Sequence, residues 1–275
     1  HNRLAVVGLV IIVLFIVTIL TTLAVDQITN YSFYNEYIIK QDLSLRLAKP
    51  SLAHPFGCDE FGRDLLLRIL WGTKLSFAIG VVAIALSVIM GAPFGMIAAF
   101  YGGKTDNAIM RVMDVLLAVP YMLLAMAIVA ALGTSTFNLL LALAVSGIAK
   151  YARIARAAVL TVKDSEFVEA ARAVGASDGT ILFQYILPNA LAPILVQVSL
   201  GIGDSILAVA GLSYLGLGVQ PPQPEWGAIL TTARTYMRDA WHISVFPGLF
   251  LILAVIAFNL FGDGLRDALD PKLKR

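Results

Sequence analysis

Few side chains in this sequence have the types and spacing that could do chemistry. The most compact set is His54, Cys58, Asp59 and Glu60, all potential metal ligands. Their spacing matches no recognised zinc pattern, and His242 lies far along the chain. Cys58 is the single cysteine, so neither an internal disulfide nor a multi-thiolate site can form. We interpret this set as a hydrogen-bonded segment and predict neither a metal site nor a cofactor.

The motifs that would make the chain an enzyme are missing. It contains no HExxH, no GxSxG and no GxxxxGK[ST] sequence. An intramembrane enzyme would need a nucleophile with a base, or paired acids, at membrane depth. The apolar runs offer Asp204 and scattered serines, but no histidine or cysteine. We therefore disfavour an intramembrane enzyme, and we expect the chain to bind no ATP of its own.

Asp204 stands alone in a long apolar run, where an ionisable residue is a candidate for function. Two interpretations stay open: it pairs with a neighbouring helix, or it lines a water-filled path. Ser213, further along the same run, is the second candidate pathway residue. The same run is rich in glycine, which favours close packing of helices.

The stretch 166–193, EFVEAARAVGASDGTILFQYILPNALAP, interrupts the apolar runs with a different pattern. Its first apolar residues recur at helical spacing and predict an apolar side: Phe167, Ala170, Ala171 and Val174. Gly175 suits the left-handed position that ends a helix. Ser177 or Asp178 can cap a second helix, which we expect to stop at Leu187-Pro188.

This helical pair could rest on lipid, serve as a connector, or dock on another protein. A helix on a lipid surface usually carries Lys and Arg on its polar side, whereas this one is led by Glu166 and Glu169. A connector does not need this length. We therefore favour protein docking, with the carboxylate of Glu169 available to a basic partner.

The composition places these groups in a membrane protein. Of 275 residues, 59% are hydrophobic and 14% are charged, against roughly a quarter charged in soluble domains. The mean hydropathy is +0.84. The net charge of +2, without a basic run, argues against nucleic acid as a partner.

Six apolar runs are long enough to cross a bilayer, which takes about 20 residues. The first is too long for a secretory signal, and none alternates as strands would. The sequence thus predicts an all-α membrane protein, with Pro93 and Pro120 kinking the second and third spans. The predicted spans are residues 4–25, 75–103, 108–132, 137–158, 189–218 and 243–262.

Basic residues decide the predicted orientation. With the N-terminus inside, twelve Lys and Arg residues lie inside and eight outside, so both termini and the stretch 166–193 are expected in the cytoplasm. Residues 220–226 then lie outside, where Trp226 could touch another protein or anchor at the lipid interface. We also expect the external residues 28–51 to tolerate replacement. The predicted divisions are residues 1–74, with the first span and the external loop, a transmembrane core at 75–265 and a cytoplasmic tail at 266–275.

The pattern Glu169-Ala170-Ala171, Gly175 and Leu187-Pro188 resembles the EAA loop of ABC importer permeases. Three further segments resemble the dipeptide, oligopeptide and nickel branch of that family. They are HPFGCDEFGRDLLLRILW at 54–71, LSYLGLGVQPPQPEWG at 212–227 and NLFGDGLRDALDPKL at 259–273. The chain departs from the family pattern at Tyr185, where isoleucine is frequent, and at Val209, where a carboxylate is frequent.

This resemblance implies the type I ABC importer permease fold, with six transmembrane helices and cytoplasmic coupling helices, in a prokaryotic inner membrane. It implies a second homologous permease subunit, two ATPase subunits that bind ATP, and an extracytoplasmic solute-binding protein. The implied cargo is a dipeptide or oligopeptide, with nickel or a metal chelate as the alternative. Six residues would couple the chain to the ATPases: Glu169, Ala170, Ala171, Gly175, Leu187 and Pro188.

Overall fold

The computed structural model describes residues 3–269, in which every long element is a helix. A helix satisfies its own backbone groups, as a segment surrounded by lipid must. Two π-helical turns (Tyr34–Ile39 and Ile181–Ile186) and one 3-10 turn (Leu43–Leu45) complete the regular elements of this range. The α-helices are α1 (Arg3–Ile28), α2 (Leu65–Tyr101), α3 (Gly103–Leu117), α4 (Tyr121–Leu132), α5 (Thr136–Leu160), α6 (Glu166–Ala173), α7 (Asp178–Thr180), α8 (Leu187–Tyr214), α9 (Trp226–Tyr236) and α10 (His242–Leu269).

The predicted all-α membrane fold is confirmed. Within residues 3–269, five helices are long and apolar enough to cross a membrane: α1, α2, α5, the continuous stretch Asp178–Tyr214, and α10. The bent pair of α3 and α4 adds a sixth when it is counted as one span. Part of the predicted tail, residues 270–275, lies outside the described residues, and α10 continues to Leu269.

The third span was predicted as one helix over residues 108–132, and this prediction is wrong. It is broken into α3 and α4, whose axes meet at 79°. The residue before a proline is pushed out of the helical region, so α3 ends at Leu117 and α4 restarts after Pro120. Pro93, in contrast, lies inside the unbroken α2. α2 also begins earlier than predicted, because Asp64 Oδ1 caps it by accepting the Leu67 N–H at 2.9 Å.

Glycines bring α2 and α5 into backbone contact. A Cβ atom on Gly95 would clash with the Ala152 carbonyl oxygen and would lie 2.8 Å from the Arg156 nitrogen. A Cβ atom on Gly91 would clash in the same way with the Ile148 carbonyl oxygen. Small residues four apart allow such close approach of membrane helices. The sequence GAPFG therefore positions α5, which carries part of the candidate site.

Residues 29–64 pack onto the end of the bundle that also holds α9, here called the α9 end. The Arg46 guanidinium donates to the Tyr236 hydroxyl of α9 at 3.1 Å, and the Phe33 ring stacks on Trp71 with ring centroids 5.3 Å apart. Ile38 is fully buried, and its carbonyl accepts from Arg68 at 2.9 Å. Replacement of residues 28–51 would remove these contacts, and the expected tolerance of this segment stays a prediction.

Trp226 is neither an interfacial anchor nor an exposed contact, so both interpretations of this residue are wrong. It is fully buried, and its indole N–H donates to the Ile69 carbonyl at 3.0 Å. The preceding Glu225 is also fully buried and caps α9. Its two carboxylate oxygens accept the N–H groups of Gly227 and Ala228, each at 2.9 Å. These two hydrogen bonds satisfy the Glu225 carboxylate, so the start of α9 can be buried.

Candidate functional site

Residues 166–186 lie at the opposite end of the bundle, here called the α6 end, and are called the docking segment after the role predicted for them. Helix α6 ends in a Schellman motif: the Gly175 N–H donates to the Arg172 carbonyl and the Ala176 N–H to the Ala171 carbonyl, both at 3.0 Å. Gly175 has φ +81°, the left-handed conformation that its type predicted. The turn reverses the chain and aims the next helix back into the bundle.

The second half of the docking segment differs from its prediction. Ser177 caps α7, with its hydroxyl accepting the Thr180 N–H at 3.3 Å. The helix does not stop at Leu187-Pro188, however, but passes through a π-helical turn into α8. In that turn the Leu187 N–H bonds to the Leu182 carbonyl, five residues back. Pro188 then falls in the first turn of α8, where its missing N–H is tolerated.

The buried side of the docking segment fixes it to the ends of α2 and α5. Val168 and Ala171 of α6, together with Ile186, are buried in one cluster that includes Phe100 and Val159. Lys163, just before α6, donates to the Ala99 carbonyl of α2 at 3.2 Å. The docking segment is therefore packed directly against the ends of two long helices.

The exposed side of α6 carries an apolar stripe. Phe167 is 42% exposed and Val174 is 83% exposed, and Ala170 lies exposed between them. The predicted apolar side is therefore divided, because Ala171 faces the bundle while the other three residues face outward. Glu169 is exposed beside the stripe. Apolar residues clustered on a surface beside a charge are typical of a contact with another protein.

A second feature is a cavity of about 730 Å³ among α4, α5 and α8. Small-molecule sites typically occupy about 300–1,000 Å³. Asp204 lines this cavity, and its Oδ2 lies 3.5 Å from Lys150 Nζ. The side chains of Lys150 and Asp204 are 46% and 67% exposed. Asp204 thus pairs with a residue of the neighbouring helix α5 and also lines the cavity, and its role in a transport path stays a prediction.

The cavity includes polar residues that sequence analysis missed, above all Lys150, Tyr121 and Tyr151. A lysine inside the fourth predicted span, 137–158, was the signal that could have revealed the pair. Ser213, in contrast, is not among the residues that line the cavity. It is buried, and its hydroxyl accepts the Val219 N–H at 3.2 Å. The structure gives it a role in holding the chain after α8.

Two of the candidate metal ligands, His54 and Asp59, are engaged with other side chains at the α9 end. His54 Nδ1 lies 2.8 Å from Asp64, and Asp59 pairs with Arg63 at 2.7 Å. No group of three potential ligands comes together within residues 3–269. His242 is distant from these residues along the chain but lies beside them in the fold, because its Nε2 is 3.2 Å from the Cys58 carbonyl oxygen.

The chain is similar along most of its length to transport permeases. It is 45% identical to the dipeptide transport system permease protein DppC of Alkalihalophilus pseudofirmus, over 99% of this chain and 87% of that protein. It is 49% identical to the glutathione transport system permease protein GsiD of Pectobacterium atrosepticum, over 82% of this chain and 75% of that protein.

The fold matches a solved transporter. An inward-facing structure of the MetNI methionine ABC transporter aligns with a TM-score of 0.62 at 18% identity, over 75% of this chain and 98% of that chain. At this identity the match speaks for the fold, which is that of ABC transporter permeases. The family model for binding-protein-dependent transport system inner membrane components matches residues 91–275. Because this model matches more than half of the chain and the relatives named above match most of it, the chain belongs to the family of binding-protein-dependent transport system inner membrane components.

Proposed function

We propose that the chain is the membrane-spanning permease subunit of an ATP-driven importer and forms half of a path for peptides. The observation that carries this proposal is the docking segment, a surface helix fixed to α2 and α5 with an exposed apolar stripe. The relatives described above carry dipeptide and glutathione in their names. Those names favour peptides over nickel or a metal chelate.

The partners in this proposal are a second homologous permease subunit, two ATPase subunits and an extracytoplasmic binding protein. The sequence lacks a loop that could cradle the phosphates of ATP, so the energy must come from another chain. The apolar stripe on α6 gives an ATPase subunit a surface to bury. Transport in this proposal is not an enzymatic activity of the chain.

The proposed coupling residues have distinct roles. Glu169 and Ala170 face outward and contact the ATPase, with the Glu169 carboxylate meeting a basic group. Ala171 packs inward and Gly175 makes the turn. Leu187 and Pro188 lie at the junction with α8, where motion of the docking segment would be transmitted to the cavity.

The test is reconstitution of the importer from purified subunits. The isolated chain is expected to hydrolyse no ATP above a mock preparation. The complete complex in proteoliposomes, supplied with its binding protein, is expected to accumulate a labelled dipeptide only when ATP is present. ATP turnover by the isolated chain, or a complete complex that imports no peptide, would contradict the proposal.

The proposed location is the prokaryotic inner membrane, with both termini and the α6 end in the cytoplasm. We expect a membrane-impermeant maleimide to label Gln220→Cys from outside and Lys104→Cys only after permeabilisation. Both positions are exposed. Labelling of Gln220→Cys from the inside alone would reverse the topology.

The native cysteine gives little background in this labelling test. Cys58 is fully buried, and burial raises the pKa of its thiol to about 11. At pH 8 only about one such thiol in a thousand is ionised, and the thiolate is the species that reacts. The unmodified chain, which is the control, should therefore stay unlabelled at pH 8 while it is folded.

A further inference from the structure

We infer that the cavity among α4, α5 and α8 is a binding subsite for the charged ends of a peptide. Asp204 receives the free α-amino group, and Lys150 receives the α-carboxylate. This inference rests on the proposed function, because it names the contacts that the cargo makes inside the same permease. The ligand class is a small zwitterionic peptide.

The charged pair is the first argument. A charged side chain within a membrane span is costly and marks a substrate path or a partner charge. The 3.5 Å separation of Lys150 and Asp204 exceeds the 2.7–2.9 Å or so of a strong charge-assisted hydrogen bond. A carboxylate accepts several hydrogen bonds and an ammonium donates three. Both groups therefore keep unused capacity, on side chains that are open to the cavity.

The position of the lysine ammonium shows what the site accepts. Lys150 Nζ lies near the Asp204 carboxylate and 6.0 Å from the centre of the Tyr151 ring, at the edge of the distance for cation–π attraction. A peptide α-ammonium has the same charge and donors. When it replaces Lys150 beside Asp204, the lysine is released to pair with the peptide carboxylate.

The wall of the cavity supplies the remaining features of a ligand site. Most of it is apolar, with Met122 and Leu207 among its residues. Ser146 and Ser205 also line it, and their buried hydroxyls have no hydrogen-bond partner within residues 3–269. A serine hydroxyl reorients by rotation about χ1, so either can turn to a peptide amide. Apolar walls with a few polar groups are typical of small-molecule sites.

Binding to the assembled complex tests this subsite. The complex of both permease subunits and both ATPases is placed in nanodiscs without ATP and without binding protein. Equilibrium binding is measured for tritiated Ala-Phe and for its N-acetylated form, which lacks the α-ammonium. The wild-type complex should prefer the free peptide by about tenfold or more, the usual value of a charged hydrogen bond.

Asp204→Asn should abolish that preference by weakening the free peptide about tenfold or more, while binding of the acetylated form stays unchanged. Lys150→Met should weaken both forms, because both carry the carboxylate. Asp239→Asn is the matched control, since Asp239 is an exposed residue between α9 and α10 and not among those lining the cavity. Its complex should keep the wild-type preference.

Three results would overturn the subsite. The first is that Asp204→Asn weakens binding of both peptide forms equally. The second is that a wild-type complex binds no Ala-Phe although it still imports it. The third is that the second permease subunit is lost when the Asp204→Asn complex is purified. The last result would assign the carboxylate to the subunit interface. Failure of the proposed function would instead appear as peptide that binds in the cavity but is never imported with ATP.

Discussion

Gly95→Leu is expected to destabilise the folded subunit and to lower the amount of it that accumulates. A side chain at this position meets backbone, the Ala152 carbonyl oxygen and the Arg156 nitrogen, and backbone cannot rotate away as a side chain can. The helices α2 and α5 must separate instead. Overpacking typically costs about 1–3 kcal/mol and occasionally more, and we expect the upper end here. That is a large part of the roughly 5–15 kcal/mol that stabilises a folded protein.

The measurement is the amount of chain in purified membranes and its loss from a size-exclusion peak after heating. Gly248→Leu is the matched control, because Gly248 is a helical glycine of α10 with no atom within 4 Å of its added Cβ. It should accumulate and unfold as the wild type does. If Gly95→Leu behaves like this control, the close approach of α2 and α5 is wrong.

The sequence could predict the elements that local chemistry determines. Long uncharged runs predict the membrane helices because lipid leaves backbone groups no other partner. Gly175 was predictable because few residue types adopt a positive φ easily. Its position and conformation in the structure agree with the prediction, and so does the cap at Ser177.

Other features depend on tertiary contacts that no local pattern reveals. Leu187-Pro188 looks like a helix end, yet a π-helical turn precedes it and the helix continues through the proline into α8. Trp226 looks like an interfacial residue, yet it is buried against α2. Lys150 and Asp204 are 54 residues apart along the chain, so their pairing requires α5 and α8 to be packed first.

Glu169→Lys is expected to uncouple ATP hydrolysis from peptide import. In the proposed complex Glu169 meets a basic group of the ATPase, and losing one partner of a close charged pair typically costs about 2–5 kcal/mol. The variant adds repulsion to that loss. Glu166→Lys is the matched control, since Glu166 is an exposed acid of the same helix outside the family pattern. Neither change touches a span, so both proteins should insert normally.

Gly175→Val tests the same segment through the backbone. Space is available, because no atom lies within 4 Å of a Cβ built there. The cost arises from φ +81°, a conformation that strains a β-branched residue by about 1–3 kcal/mol. Gly179→Val is the control: its surroundings are equally open, but it lies in α7 and not at a positive φ. We expect weaker co-purification of the ATPases for Gly175→Val alone.

The most direct measurement of the central claim is the number of labelled dipeptide molecules imported per ATP hydrolysed. It uses proteoliposomes that contain the complete complex and its binding protein. The account predicts that Glu169→Lys lowers this ratio sharply, while Glu166→Lys keeps the wild-type ratio. An unchanged ratio in Glu169→Lys, with normal uptake, would contradict the claim that this chain is coupled to its ATPases through the docking segment.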